Sequence, residues 1–280
     1  MTHDTPRISR RTALRTVAGI SSAAVAGCLS GEEEATGTQS SSTSGPDEQS
    51  PLKRVGVDGT ALVVEFASEA EVDQVNLIQP DGELFGTRDA PAGVEQVSFE
   101  LGTSYTPGEY EILALSEEET IAETSFEIRP KLEIREVGLF RNHPEKPWDE
   151  VYGESETNRI RNGEAFVTVE NSGTGPEAVV ELRFAGGVPN PIENPRGSGI
   201  HEKEQVIVPA GESLDLYSNS FPFGAEIGKD GLGCSQDGNS GQFSVITETR
   251  VDNDDSTKEF NVEYSGSEDM SDCDVTISEV

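Results

Sequence analysis

Short apolar runs alternate with clusters of turn-forming residues from position 51 to the end of the chain. Typical runs are LVVEF at 62–66 and AFVTV at 165–169, in which every second side chain can face a core. Glycine, proline, asparagine and aspartate separate the runs, and no stretch between them has the period of an amphipathic helix. This pattern predicts short, half-buried β-strands joined by turns.

The segment 51–130 contains seven predicted strands. Turn signals separate several of them, at 58–59 (DG), 80–82 (PDG) and 107–108 (PG). Seven short strands without a helix between them predict an antiparallel β-sandwich of the immunoglobulin-like type. The predicted strands are 55–57, 62–66, 75–78, 83–85, 94–101, 110–115 and 121–128.

The turn at Pro107-Gly108 leads directly into Glu109-Tyr110. This run resembles the Pro-Gly-x-Tyr entry into a late strand of many extracellular sandwich modules. The resemblance implies that the turn sets the direction of the strand and that the ring of Tyr110 packs across the two sheets.

The segment 131–280 predicts a second sandwich with longer loops. Its segment 186–204 is rich in proline and glycine and its segment 218–241 is rich in glycine, and we expect both to be exposed and irregular. The run 166–173, followed by 178–182, resembles the strand, Asn-x-Gly turn, strand hairpin of adhesion-like modules. The predicted strands are 132–140, 165–171, 178–184, 205–208, 214–217, 243–249, 259–264 and 275–277.

The first 28 residues contain the features of an export signal followed by a lipid attachment site. Arg10 and Arg11 precede a Gly/Ala-rich apolar segment at 16–26, which is too short and weakly apolar to span ~30 Å of hydrocarbon. That segment ends in VAGC at 25–28, which resembles a lipobox in which Cys28 takes a lipid before cleavage.

Together these features resemble the twin-arginine-exported lipoproteins of halophilic archaea. Ala13 and Val25 depart mildly from the bulkier apolar residues usual at these positions. The resemblance implies that residues 1–27 are a signal peptide. It also implies that the mature chain is held at the extracellular face of the cell membrane by membrane lipid attached to Cys28.

Residues 28–50 form the predicted connection between the lipid and the first sandwich. The segment consists mainly of Glu, Thr, Ser and Gly with almost no apolar residue. Such a composition cannot build a core, so we predict a disordered acidic linker. The sequence therefore predicts an all-β protein with two immunoglobulin-like antiparallel β-sandwich domains, 51–130 and 131–280, after a signal peptide and this linker.

The chain is strongly acidic, with 53 Asp and Glu against 20 Lys and Arg and a net charge of −33. This composition is also typical of disordered chains, but the regular apolar runs favour folded domains. The charges repel one another in dilute salt, whereas at about 1 M salt the Debye length is only about 3 Å. We therefore predict folding in concentrated salt and exclude nucleic acid as a partner.

Cys234 and Cys273 are the two cysteines that remain beside Cys28. Because disulfides persist outside the cell, we predict that these two pair, and the alternative is two unrelated thiols. The bridge would close a loop of 39 residues, which contributes about 4 kcal/mol in the chain-entropy model.

Metal-ligating residues are present, but their spacing matches no known site. The acidic run that includes Asp252, Asp254 and Asp255 is a weak calcium candidate without the spacing of an EF-hand loop. Cys273, Met270, His143 and His201 supply copper-type ligands, yet no histidine follows Cys273 as it does in cupredoxins. Apart from the calcium candidate, no cofactor is predicted.

Catalytic motifs are missing from the sequence. It contains no Gly-x-Ser-x-Gly elbow, no phosphate-binding loop and no closely spaced histidines. We therefore predict a non-enzymatic surface protein with adhesion-like or ligand-binding modules, whose second domain contacts a cell-envelope protein or polysaccharide. The alternatives are an accessory or solute-capturing subunit of a membrane transporter and, more remotely, a divergent extracellular hydrolase built from scattered carboxylates.

Overall fold

The computed structural model describes residues 50–143, 163–224 and 231–280. The predicted export signal at Arg10 and Arg11, the lipidated Cys28 and the predicted linker up to residue 49 lie outside these residues. In the part of the chain that the structure describes, no helix is long and apolar enough to cross a membrane.

The first sandwich contains seven strands in two antiparallel sheets. One sheet has the order β1-β2-β5 and the other has the order β4-β3-β6-β7. Period-two burial places alternate side chains of β2, β3 and β5 in the core between the sheets. The strands are β1 Leu52–Asp58, β2 Ala61–Phe66, β3 Gln74–Ile78, β4 Leu84–Asp89, β5 Gln96–Glu100, β6 Gly108–Ser116 and β7 Glu119–Ile128.

Among its described residues, the second sandwich has eight strands and a short 3-10 helix, Phe140–Asn142. Its sheets have the orders β12-β9-β8 and β11-β10-β13-β14-β15. The strands are β8 Leu132–Leu139, β9 Ala165–Asn171, β10 Glu177–Gly186, β11 Val206–Val208, β12 Ser213–Tyr217, β13 Asn239–Thr249, β14 Asp255–Ser265 and β15 Asp274–Glu279.

The two sandwiches share one strand order. In each, the first, second and fifth strands form one sheet, and the fourth, third, sixth and seventh form the other. This is the immunoglobulin-like arrangement, with strands A, B and E facing C′, C, F and G. The second sandwich adds β15 beside its seventh strand. The predicted all-β, immunoglobulin-like sandwich fold is confirmed.

Tyr110 forms the corner at which the first sandwich enters β6. Its ring is fully buried and packs edge-on against Phe85. Its hydroxyl donates to the carbonyl of Thr106 at 2.9 Å, which is the tyrosine-corner contact of immunoglobulin-like domains. Tyr110 is therefore buried at the entry to β6, and its ring contact is with β4 of the same sheet.

The predicted hairpin between β9 and β10 is wrong. β9 pairs with β8 and β12, whereas β10 pairs with β11 and β13, so the connection 172–176 crosses from one sheet to the other. The turn residues instead form hydrogen bonds at this crossing connection. The Asn171 side chain accepts a hydrogen bond from the Lys131 amide and donates one to the Gly175 carbonyl. They hold this crossing against the end of the first sandwich.

The connection 172–176 contacts the first sandwich closely. Tyr105 donates its hydroxyl hydrogen to the Pro176 carbonyl at 3.0 Å, and the backbone amide of Thr174 donates to Arg129. A Cβ added at Gly175 would lie 2.2 Å from the Tyr105 hydroxyl oxygen. Burial raises the pKa of Tyr105, and the nearby Glu177 raises it further, so the hydroxyl remains a donor.

The turn between β13 and β14 completes this joint. Its Val251 is 8% exposed and belongs to the hydrophobic core of the first sandwich, although it comes from the second. Glu177, 1% exposed, shapes the turn by accepting the backbone amides of Arg250, Val251 and Asp252 at 2.8–3.2 Å. The described residues of both sandwiches accordingly belong to one compact unit.

We predict that Glu177→Gln destabilises the protein by roughly 3 kcal/mol, because the amide removes the charge and turns donors toward buried N–H groups. Urea unfolding in concentrated NaCl measures the change. Glu263→Gln, at an exposed position of β14, is the matched control and should change stability by less than about 0.5 kcal/mol. Equal effects of the two substitutions would contradict the assigned role of Glu177.

Candidate functional site

The long connections of the second sandwich gather at one end of it. Because successive strands run in opposite directions, the connections 172–176, 209–212 and 250–254 lie at the end that faces the first sandwich. The described parts of the other four connections, 140–143 with 163–164, 187–205, 218–224 with 231–238, and 266–273, therefore lie at the opposite end. We call the described parts of these four connections the distal loops.

Hydrogen bonds tie the distal loops to one another. Asn190 donates from its backbone to Pro222 at 3.0 Å and from its side chain to the Phe221 carbonyl at 3.1 Å. Asn219 donates to the carbonyls of Gly199 and Arg196 at 2.9 and 2.8 Å. These contacts join the loop 187–205 to the loop 218–224.

A disulfide joins the segment 231–238 to the loop 266–273. Cys234 is bonded to Cys273, so the predicted pairing is confirmed. Arg141 donates from one guanidinium nitrogen to the Met270 carbonyl at 2.6 Å and from another to the Cys273 carbonyl at 2.7 Å. Arg141 was not predicted from the sequence, because hydrogen bonds to the backbone carbonyls of distant residues leave no residue pattern.

The distal loops have their own apolar support, which corrects the expectation that 186–204 and 218–241 are exposed and irregular. Val188 and Ile200 are 4% exposed, and Phe223 is fully buried. The Phe223 ring packs edge-on against Phe184 and Phe243. The packing of these loops on the sandwich could have been predicted from such isolated apolar residues inside the loop segments.

The exposed surface of the distal loops is acidic. Asp269 accepts from the hydroxyl and amide of Ser271 at 2.7 and 2.9 Å, and these bonds lower the pKa of its carboxyl. In the described loops, exposed acids outnumber the exposed cations Arg196 and Lys203. The exposed acids are Glu193, Glu202, Glu204, Asp237, Glu268, Asp269 and Asp272.

The two histidines considered as metal ligands have different carboxylate partners. His143 contacts Asp215 at 3.1 Å, and the same carboxylate accepts from Thr168 at 2.8 Å. His201 lies 3.8 Å from a carboxylate oxygen of Glu202. Among the described residues, no group of three or more His, Cys, Asp and Glu side chains could hold a metal ion.

The aspartates of the calcium candidate lie at the turn between β13 and β14. Asp255 pairs with Arg183 at 2.8 Å, and the backbone carbonyl of Asp254 accepts from Thr249 at 3.0 Å. Desolvation by burial raises the pKa of Asp252, against the opposing charge of Arg129. The loop therefore holds one carboxylate in an ion pair and another in surroundings that disfavour its charge.

We predict that Asp252→Asn stabilises the protein at neutral pH by on the order of 0.5 kcal/mol. A raised pKa in the folded state means that stability falls as the pH rises through it, and asparagine avoids this loss. The advantage should disappear below the pKa of Asp252. Thermal unfolding with EDTA tests the prediction, and the opposite sign after calcium addition would favour a calcium site instead.

A groove of about 680 Å³ lies at the other pole of the molecule, near residue 50, where the chain enters the first sandwich. Its walls include Lys53, Glu65 and the segment 93–96. Glu65 pairs with Lys53 at 3.2 Å and with Arg54 at 3.1 Å, and these two hydrogen bonds lower its pKa. Since the Glu65 carboxylate is already paired, we favour the distal loops over this groove as the binding surface.

No protein-family model and no curated protein matches the sequence. Among solved structures, the chain is similar to a two fibronectin type-III domain segment from chicken tenascin, with 13% identity and a TM-score of 0.25. That match covers 82% of this chain and 99% of the tenascin segment.

Two other solved structures are parts of larger chains. A biofilm associated protein BSP domain is 13% identical, with 74% of this chain and 28% of that one covered and a TM-score of 0.24. A beta-glucuronidase from glycoside hydrolase family 2 is 12% identical, with coverages of 75% and 19% and a TM-score of 0.23. This chain spans less than a third of either relative. Similarities at these TM-scores carry no argument about function.

Proposed function

We propose that this protein is a non-enzymatic, lipid-anchored cell-surface protein that binds a cell-envelope partner through its distal loops. The observation that carries the proposal is the clustering of four connections at the end of the second sandwich away from the first. Binding residues commonly lie on loops that a rigid scaffold positions. The partner is a protein or polysaccharide of the envelope.

The joint between the sandwiches supports this proposal. Val251 packs in the first core, and the connection 172–176 is bonded to Arg129 and Tyr105. A joint of this kind keeps the distal loops at a constant distance from residue 50. A flexible linker at 29–50 would add a root-mean-square reach of about 25 Å by random-coil scaling.

The charge supports a role in concentrated salt. The acidic surface of the distal loops and the net charge of −33 disfavour polyanionic partners. At high ionic strength the repulsion between these carboxylates is screened, so short-range polar contacts can determine binding. We propose that the protein folds and binds under such conditions.

Anchoring through Cys28 is tested by its removal. We expect Cys28→Ser to release the folded protein into the medium, whereas the unchanged chain stays with the membrane fraction. Arg10→Lys combined with Arg11→Lys should instead retain the precursor inside the cell. Membrane retention of the Cys28→Ser protein would contradict the lipid anchor without affecting the proposed binding surface.

Site-specific crosslinking in source cells tests the binding role. A photo-crosslinking residue replaces Asn194 on the distal loops or, as a matched control, Ser125 on the outer face of β7. We expect position 194 to capture an envelope protein or polysaccharide and position 125 to capture none. Equal capture from both positions would contradict the proposal, and capture of a transporter permease would favour the accessory-subunit alternative.

A further inference from the structure

Three sulfur atoms meet in the core beneath the distal loops. Cys234 is bonded to Cys273, and the Met270 Sδ atom lies 3.1 Å from Cys234 Sγ. Their residues are 0%, 2% and 6% exposed. The chain has three cysteines and two methionines, and the others are Cys28 and Met1. All the sulfur beyond residue 28 is therefore in this group, which we call the sulfur cluster.

The cluster has the ligand chemistry of a soft metal site once the disulfide is reduced. A thiol or phosphine supplies two electrons, the S–S bond breaks, and each cysteine sulfur takes one proton while the reductant is oxidised. The result is two thiols beside a thioether. Sulfur ligands of this type select Cu(I), whereas calcium and magnesium require oxygen.

We propose that the reduced chain binds one Cu(I) ion through Cys234, Cys273 and Met270. Each thiol releases its proton on binding, so two thiolates and one monovalent ion form a group with a single negative charge. The two cysteines alone would give linear coordination, and the thioether completes a three-sulfur site. This is a different site from the histidine-containing copper centre that the sequence order excludes.

Arg141 is placed to stabilise such a group. Its guanidinium bonds the carbonyls of Met270 and Cys273, the two ligands that come from the loop 266–273. A buried negative charge needs a nearby positive one, and hydrogen bonds to the residues that carry the ligand atoms hold those ligands in position. The same contacts are present around the disulfide, so the ligand loop needs little rearrangement.

The copper site would affect how the distal loops are held together. It does not depend on their proposed binding role. Either the disulfide or the metal would link the loop 218–238 to the loop 266–273. The distal loops would then stay joined under both oxidising and reducing conditions.

Anaerobic titration tests the site. The protein, with Cys28→Ser to remove the third thiol, is reduced with a phosphine and titrated with Cu(I) against a chromophoric Cu(I) chelator. We expect one equivalent to bind and Met270→Leu to weaken binding by at least about tenfold. Tyr264→Phe, which changes a buried side chain of the same core and removes no sulfur, should bind as the parent does.

Three results would overturn the proposal. The first is the absence of Cu(I) uptake beyond that of the Cys234→Ser, Cys273→Ser double variant. The second is unchanged affinity in Met270→Leu. The third concerns a chain that unfolds on reduction. Cu(I) should then restore its β-sheet circular dichroism, and no recovery of that signal would contradict the site.

Discussion

The buried carboxylate of Glu177 binds the turn between β13 and β14, and this contact holds the two sandwiches together. Glu177 accepts the amides of Arg250, Val251 and Asp252, and also that of Ala178 at 2.8 Å. Charge-assisted bonds to successive backbone amides stabilise an anion strongly. Because the turn is held in this shape, Val251 can extend from the second sandwich into the core of the first.

The position of the distal loops follows from this joint and from the strand order. With both sandwiches built from the same alternation of strand directions, the connections that face the first sandwich are short, and the long ones are at the far end. The disulfide, Arg141 and the Phe223 ring then hold those long connections on the end of the sandwich. The described backbone of these connections is thus held in place although it forms isolated β-bridges and no strand.

The strands could be predicted from the sequence because burial alternates with period two along them. All fifteen predicted strands overlap observed ones, and Tyr110 is buried in β6 directly after the predicted Pro-Gly turn. The connection 172–176 could not be predicted in the same way. Asn and Gly residues are as typical of a hairpin turn as of a connection between two sheets. The close approach of Gly175 to Tyr105 depends on the position of the neighbouring sandwich, which the local sequence does not specify.

The functional residues also fall into a part that the sequence predicts and a part that it does not. The pairing of Cys234 with Cys273 could be predicted from the sequence, because an exported chain with two cysteines besides Cys28 offers one pairing. Glu177 was not predicted, because one acid among 53 carries no distinguishing pattern until its burial is known. Long-range contacts of this kind depend on which loops the fold brings together.

The central claim is that the joint keeps the two sandwiches in one arrangement. Spin labels on Ser125→Cys in β7 and Thr276→Cys in β15, in the Cys28→Ser background, allow the distance between the sandwiches to be measured by pulsed electron resonance. We predict one narrow distance distribution, which Gly175→Ala broadens because its Cβ would clash with the Tyr105 hydroxyl. A broad distribution in the unmodified joint would contradict the account.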